Sequence, residues 1–431
     1  MTYIWKVESF KSEEERSGWD AFLQRFGLPW YYAIFAALAL VVVGSLFWVH
    51  EGVHLADMAR YRRPLDFQVY RDAAANMLHN GRTYVHRFTW VHLPFTYPPF
   101  ALLLFSGLTV VSVTTSMVLW WVLSALALVG VVDIALGSVF SLPRYVRLAL
   151  AFASAGVMCV CLEPAQSSMD FGQINFLLMF LIVFDIFHVH KTGRGFLVGI
   201  AAAIKLTPLT YLFYFAAERS WRTVYWAIAT FVGAGVVGLI FLPSDSVTYW
   251  FHQAFSPGQK GDATGAMNQS WYSLIQHLVG DNQVATMTIW VVLSALTLAA
   301  GFFVARVCVS NGRLLEGLFA LALTELLISP ISWTHHWSWV VVAPILIVAQ
   351  WRRDAWTCVA MLFLLLICFD PPFEWHPWKW YHVGFLRGLE GYSLLLSGAI
   401  VLATMTISQW HVRKLNRASE VSTRLRLANE H

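Results

Sequence analysis

Residues 314–350, LLEGLFALALTELLISPISWTHHWSWVVVAPILIVAQ, hold two apolar runs joined by a short polar turn around 331–335. A hydrocarbon core of about 30 Å takes about 20 apolar residues wound as a helix. Helix is the economical choice there, because backbone polar groups in lipid have to pair within their own segment. Working outward, ten further stretches of this kind occur, at about 31–49, 99–113, 115–137, 145–162, 174–189, 196–217, 223–242, 284–309, 355–369 and 390–410. Over the 431 residues, 58% are hydrophobic and 13% charged, with a mean hydropathy of +0.58. Soluble domains carry roughly 45–50% apolar and about 25% charged residues. This chain therefore has too little polar surface to cover a globule. Soluble enzymes, disordered chains and disulfide scaffolds are excluded, and an all-α polytopic membrane protein is predicted.

Lys and Arg in short loops set orientation. The Ser220–Arg222 turn, Arg306, Arg313, Arg352, Arg353, Arg413, Lys414 and Arg417 read as cytoplasmic, which puts both termini inside. Loops 50–98, 243–283, 331–335 and 370–389 then lie outside. Arg144, Arg147, Lys191 and Arg194 also read as cytoplasmic, so segments 99–113 and 196–217 must be re-entrant or broken. Lys205 and Pro208 sit where the second would break. The expectation is ten to twelve transmembrane or re-entrant helices, with short amphipathic helices in the outer loops. The organisation expected is a cytoplasmic segment 1–30 without a cleavable leader, an integral-membrane domain 31–410, and a basic cytoplasmic tail 411–431.

Eleven of the 15 histidines fall in or beside the outer loops, so chemistry is expected on that face. Asp66, between Leu65 and Phe67, reads either as a helix N-cap or as a carboxylate partly desolvated at the membrane surface. In the second case its raised pKa suits a general base. Six arginines of the first outer loop, Arg62 and Arg63 among them, read either as solvated or as a fork for an anionic group. Tyr97 lies in a Tyr-Pro-Pro turn at the lip of a span. Gln173, in the Gly-Gln-Ile-Asn stretch 172–175, offers neutral donors or caps a helix. Lys205 stands deep in an apolar segment, where an ammonium needs a cavity or an anion. His335 and His336 are adjacent, so at most one easily meets a given ligand. Asn268, Trp333 and Trp375 supply polar and aromatic groups suited to sugar rings. The five cysteines fall in apolar stretches and imply no disulfide. No Walker loop, GxGxxG or nucleophile elbow is present, so an activated donor would have to be carried by a lipid. No metal-ligand spacing occurs, no cofactor is expected, and a net charge of +4 does not suggest nucleic acid.

In order along the chain stand LDFQVYRDAA (65–74), LPFTYPPF (93–100), GQIN (172–175), AAIKLTP (202–208), NQSWYSL (268–274) and SPISWTHHW (329–337). This set resembles the actinobacterial polyprenol-phosphate-mannose-dependent α-1,2-mannosyltransferases, membrane glycosyltransferases of the C-type fold. The resemblance implies inverting transfer from a polyprenyl-phosphate-mannose donor in the membrane. The acceptor would be a 2-hydroxyl of a mannosylated glycolipid, a phosphatidylinositol mannoside or lipomannan. It further implies a plasma-membrane enzyme, among membrane lipids, with its site facing the extracytoplasmic side. Asp66 takes the place of the family's general base. His335 or His336 would stabilise the leaving phosphate, with His335, nearer the loop apex, preferred. Lys205 would add positive charge there, a role that rests on the membrane-charge argument. The alternative is a secondary transporter of a small anionic or sugar solute, coupled through Lys205 and Glu325.

Overall fold

The computed structural model of the chain describes residues 64–79, 81–254, 267–280, 282–369 and 391–429, with side chains as far as 414. The expected segment 1–30, the first span, Arg62, Arg63 and Trp375 lie outside the described residues. The regular structure among the described residues is helical apart from one hairpin of two-residue strands and an isolated bridge. Helix α1 (Leu65–Leu78) is followed by β1 (Arg87–Phe88), which pairs antiparallel with β2 (Leu93–Pro94). Next come a short α2 (Pro99–Phe105), then α3 (Val113–Val139), α4 (Arg144–Cys161), α5 (Glu163–Asp170) and α6 (Asn175–His188). Helices α7 (Phe196–Ile204) and α8 (Leu212–Ala217) flank a break, and α9 (Trp221–Phe241) leads to α10 (Pro243–Thr248). Helices α11 (Trp271–Val279), α12 (Gln283–Ser310) and α13 (Leu314–Ile328) precede a 3-10 helix, Thr334–Val342. Last are α14 (Ala343–Gln350), α15 (Ala355–Phe369) and α16 (Ser393–Asn429).

Five of these helices are long and apolar enough to cross a membrane: α3, α4, α9, α12 and the 393–414 part of α16. Counting α5 and α6 as one span bent by 114° makes six. The remaining expected apolar stretches among the described residues are shorter or broken helices. Valines, leucines and isoleucines such as Val232, Val236, Ile240, Val291 and Leu296 face outward on α9 and α12. An apolar surface of that extent fits lipid and not water.

Both segments expected to be re-entrant or broken are interrupted: Pro99–Phe105 passes into a 3-10 turn, Ser106–Thr109, and 196–217 breaks after Ile204. Helix α7 ends at Ile204, and Lys205 is extended, with φ −144° and ψ 133°. Pro208 cannot donate to the Ile204 carbonyl and its ring would crowd it, so the helix cannot continue. Arg194 before α7 and Glu218 after α8 join through two hydrogen bonds of 2.7 and 2.9 Å. The two ends of the segment between them therefore lie side by side. Likewise Arg71 on α1 donates to the carbonyls of Leu108 and Val111, both at 3.2 Å. The other end of that segment is held where Tyr84 donates to the Tyr97 carbonyl at 2.7 Å.

The described parts of the loops expected on the outer face gather at one end of the bundle. Helix α1 buries Phe67, Tyr70, Ala73 and Ala74, a 3–4 residue spacing that makes one face. Tyr70 stacks on Phe105 at 4.5 Å and packs against Trp120 at 5.8 Å. Asp245 of α10 accepts from the Thr83 backbone at 3.2 Å. Gln269 N–H donates to Ser332 O at 2.8 Å, and Gln269 Nε2 donates to Gly391 O. Ion pairs tie the other loops together instead. Arg147 meets Asp133 at 2.7 Å, and Glu316 takes Arg313 at 2.9 Å and Arg353 at 3.5 Å.

Candidate active site

The site is built on the 171–174 loop between α5 and α6. Gly172 adopts φ +65°, and a Cβ there would come within 2.8 Å of the Phe67 Cβ and 3.0 Å of that of Pro64. Only glycine lets this loop come so close to the start of α1. The Phe171 carbonyl then accepts from the backbone N–H groups of Asp66 (3.0 Å) and Phe67 (3.2 Å). Those are unpaired donors of a helix N-terminus, so the loop caps α1. The N-cap is Pro64, with no side-chain cap bond. Asp66 is therefore not the N-cap, and its carboxyl is used elsewhere.

Gln173 Nε2 donates to Asp66 Oδ2 at 2.6 Å and lies 3.1 Å from His335 Nε2. Its Oε1 accepts from the hydroxyls of Tyr70 at 3.0 Å and Tyr97 at 3.3 Å. The two hydroxyls are themselves 2.7 Å apart. Burial raises the Asp66 pKa to about 6, against the opposing hydrogen bond from Gln173 and the charge of Lys205. A carboxylate so placed is ionised at neutral pH yet basic enough to accept a proton. An amide nitrogen only donates, so His335 Nε2 accepts and the proton of a neutral ring sits on Nδ1. Burial, and secondarily Lys205, hold the His335 pKa down to about 3.

Asn175, two residues on at the start of α6, donates to the His335 carbonyl at 2.8 Å and accepts from Lys205 Nζ at 3.1 Å. Lys205 reaches it because the break after α7 turns its side chain into the bundle, 5.9 Å from the Tyr97 ring centre. Beyond Lys205 opens a narrow cleft, continuous with open space at its mouth. Lys205, Thr207, Glu325, Ser329, Ser332 and His336 form its polar wall, and Leu178, Met179, Ile182, Leu326 and Trp339 its apolar one. The Glu325 carboxyl is buried there, within reach of the Thr207 and Tyr211 hydroxyls. The two histidines separate because a 3-10 helix turns 120° per residue. His335 goes inward to Gln173, whereas His336 lines the cleft. His335 was expected to meet the leaving phosphate; of the two rings it is His336 that lines this cleft.

Asn268 faces backbone instead of cleft. It is fully buried, donates to Pro330 O at 3.0 Å and accepts from the Ser332 N–H at 2.8 Å. It pairs with Trp333 in an isolated antiparallel bridge. Thr334, next in that loop, donates to Glu163 at 2.8 Å. Among the described residues, no three His, Cys, Asp or Glu side chains are grouped to hold a metal ion. Sequence reasoning did not single out Tyr70; it read Asn175 only as a neutral donor or helix cap, and Glu325 only as the charge partner of Lys205 in a transporter. The signal available was the GQIN stretch, whose two amides both turned out to face the site.

A half-buried carboxylate and ammonium at the edge of an amphipathic cleft, inside an apolar helical bundle, define an integral-membrane protein with a polar reaction site. The family model for glycosyltransferase family 87 matches residues 95–330. A polyprenol-phosphate-mannose-dependent alpha-(1-2)-phosphatidylinositol mannoside mannosyltransferase of Mycobacterium tuberculosis is 32% identical over 347 residues, spanning 75% of this chain and 80% of its own. The protein of that name from Mycolicibacterium smegmatis is 32% identical over 365 residues, with 77% and 80% covered. A polyprenol-phosphate-mannose-dependent alpha-(1-2)-phosphatidylinositol pentamannoside mannosyltransferase of Mycobacterium tuberculosis is 30% identical over 309 residues, with 70% and 69% covered. The chain belongs to glycosyltransferase family 87, an enzyme family, so the transporter alternative falls away.

Proposed function

We propose that this chain transfers mannose, with inversion, from polyprenyl-phosphate-mannose to a 2-hydroxyl of a mannosylated phosphatidylinositol or related lipoglycan. The observation that carries this reading is the placement of Asp66. It stands beside Gln173 at one edge of a site whose other edge is Lys205 and an apolar-walled cleft. The relatives' names supply the donor and acceptor class.

Asp66 takes the proton from the acceptor hydroxyl as its oxygen attacks C1 of the mannosyl phosphate. The C1–O bond to phosphate breaks and polyprenyl phosphate leaves. The leaving group is already a stable anion, so holding its charge matters more than protonating it. Lys205, with His336 beside it in the cleft, does that, while the apolar wall receives the first isoprene units. Tyr97 forms the site wall under Lys205. Asn268 sets the 330–332 loop that carries Trp333 and the histidines. Arg62, Arg63 and Trp375 remain candidates for the acceptor headgroup. The site faces the extracytoplasmic side of the plasma membrane, a reading supported by the arginine-paired loops at the opposite end.

The test is to incubate the purified protein with radiolabelled polyprenyl-phosphate-mannose and phosphatidylinositol mannosides of defined size, then analyse the linkage of the product. An α-1,2-mannosyl product is expected. Transfer from a different lipid-borne sugar, or to a different hydroxyl, would overturn the reading.

A further inference from the structure

Gln173 is 4% exposed, and its amide makes close contacts on both ends. Both N–H groups are spent, on Asp66 and His335, and Oε1 accepts from Tyr70 with Tyr97 close behind. No donor or acceptor is left for a sugar. The orientation of the amide is also determined. Turned over, it would set Oε1 against the Asp66 carboxylate, two acceptors face to face. The backbone beneath is held as firmly, since Gln173 N–H donates to Ser168 O at 2.9 Å and Trp120 Nε1 to Gly172 O at 2.8 Å.

We propose that Gln173 is a positioning residue that contacts no substrate: one amide aims the Asp66 carboxylate and fixes the tautomer of His335. This proposal rests on Asp66 being the base in the reaction above. The two protonation states are coupled through the amide. A proton on His335 Nε2 would oppose an N–H donor, and a proton on Asp66 Oδ2 would do the same. The network is therefore made with an ionised carboxylate and a neutral imidazole. Other charged or titratable groups face it from each packed element. They are Tyr70 on α1, Tyr97 before α2, Lys205 after α7, Glu325 on α13 and His336 beside His335. None of them replaces a donor that reaches both partners, so Gln173 decides the pairing.

The experiment uses the full-length protein with Gln173→Leu, Gln173→Glu and Tyr70→Phe, each checked for folding by thermal melting. Kinetics are followed from pH 5 to 9 with polyprenyl-phosphate-mannose as donor. Gln173→Leu is expected to lower kcat roughly 30- to 100-fold, as misplacement of a reacting group does. Both KM values should stay within about threefold. Its acid limb should move to higher pH, because the carboxylate has lost a donor that favours its charged form. Gln173→Glu should recover activity at acid pH only, where the introduced carboxylic acid keeps a proton to donate, and should show an alkaline limb absent from the parent. Tyr70→Phe, which keeps the ring packing, should shift the acid limb in the same direction by less. A readout independent of transfer is the Asp66 carboxylate itself, followed by pH-difference infrared spectra with Asp66→Asn as the blank. Its titration should move upward in Gln173→Leu even if the transferred sugar is not mannose. An unmoved carboxylate, or a raised KM with kcat and pH limbs unchanged, would overturn the proposal. Absence of mannosyl transfer by the parent alongside a shifted carboxylate would instead count against the assigned function.

Discussion

Asp66 Oδ2 accepts a 2.6 Å hydrogen bond from Gln173 Nε2 across 107 residues of chain. The contact exists because Gly172 lets the intervening loop cap α1, and it places a half-buried carboxylate where a polar acceptor can meet it. The cost of that placement is visible in the carboxyl group. Its pKa is raised from 3.8 to about 6, chiefly by burial.

Asp66→Asn should lower transfer by a factor of about 10²–10⁴, the usual contribution of a general base. Stability should not fall with it. A rise from 3.8 to about 6 corresponds to at most about 3 kcal/mol set against folding at neutral pH. Thermal melting of the variant should therefore equal or exceed that of the parent. A large loss of stability together with activity would show a structural role instead.

The pH dependence follows from the same group with a definite sign. A carboxyl with a raised folded-state pKa binds its proton more tightly when folded, so its contribution to stability declines as pH rises from 3.8 to about 6. Activity runs the other way, since the base has to be ionised. The value of kcat/KM should fall below a midpoint near pH 6, and a limb near pH 4 would remove the desolvated Asp66 from the mechanism.

Lys205→Met keeps the length and apolar body of the side chain while removing its charge. Loss of a charge-assisted bond is worth about 1.5–3 kcal/mol. The KM for polyprenyl-phosphate-mannose should therefore rise roughly 10- to 100-fold, with that for the glycolipid acceptor nearly unchanged. Initial-rate measurements with each substrate varied in turn would separate the two. A defect confined to the acceptor would place the phosphate elsewhere.

Gly172→Ala tests the loop that carries Gln173. The added methyl meets Phe67 at 2.8 Å in a left-handed backbone. Strain at such a position costs about 1–3 kcal/mol, before the clash is counted. A lower melting temperature and a lower kcat are expected together, because relaxation of the loop moves Gln173 off Asp66.

Asn268→Ala should lower stability by about 1–3 kcal/mol, since it strands the Ser332 N–H in a buried turn. Its effect on kcat should exceed that on either KM, because the turn carries the histidines and not the substrates. An unchanged melting curve would show that the Asn268–Ser332 bond contributes nothing.

Parts of the site were legible one segment at a time. Asp66 stood out as a carboxylate in an apolar setting, and Lys205 as an ammonium inside a span. Tyr97, Gln173 and Asn268 were recognised as polar residues at the lips of spans, but their roles were not. Gln173 and Asn268 look alike in sequence, each an amide in a polar stretch. In the fold, one joins Asp66 to His335 and the other is absorbed by the backbone of residues 330–332. Asn175 read as a neutral donor or helix cap and Glu325 as half of a transporter's charge pair, because an amide at a helix start and a carboxylate in a span do not by themselves say which group they face.

By itself the sequence determined the membrane class, the break at Lys205, and that 99–113 and 196–217 are not both simple uninterrupted spans. Those follow from composition, from the missing N–H of Pro208 and from charges counted along the chain, which are local properties. Only the tertiary structure decided that Asp66, Gln173 and His335 share one network, that Asn175 receives Lys205, and that His336 and not His335 lines the cleft. Each of these depends on which side chain meets which across more than a single helix, or on a 120° step within one. Hydropathy cannot express either, because a hydrogen bond is directional and spans ångströms, whereas burial in an apolar segment is neither.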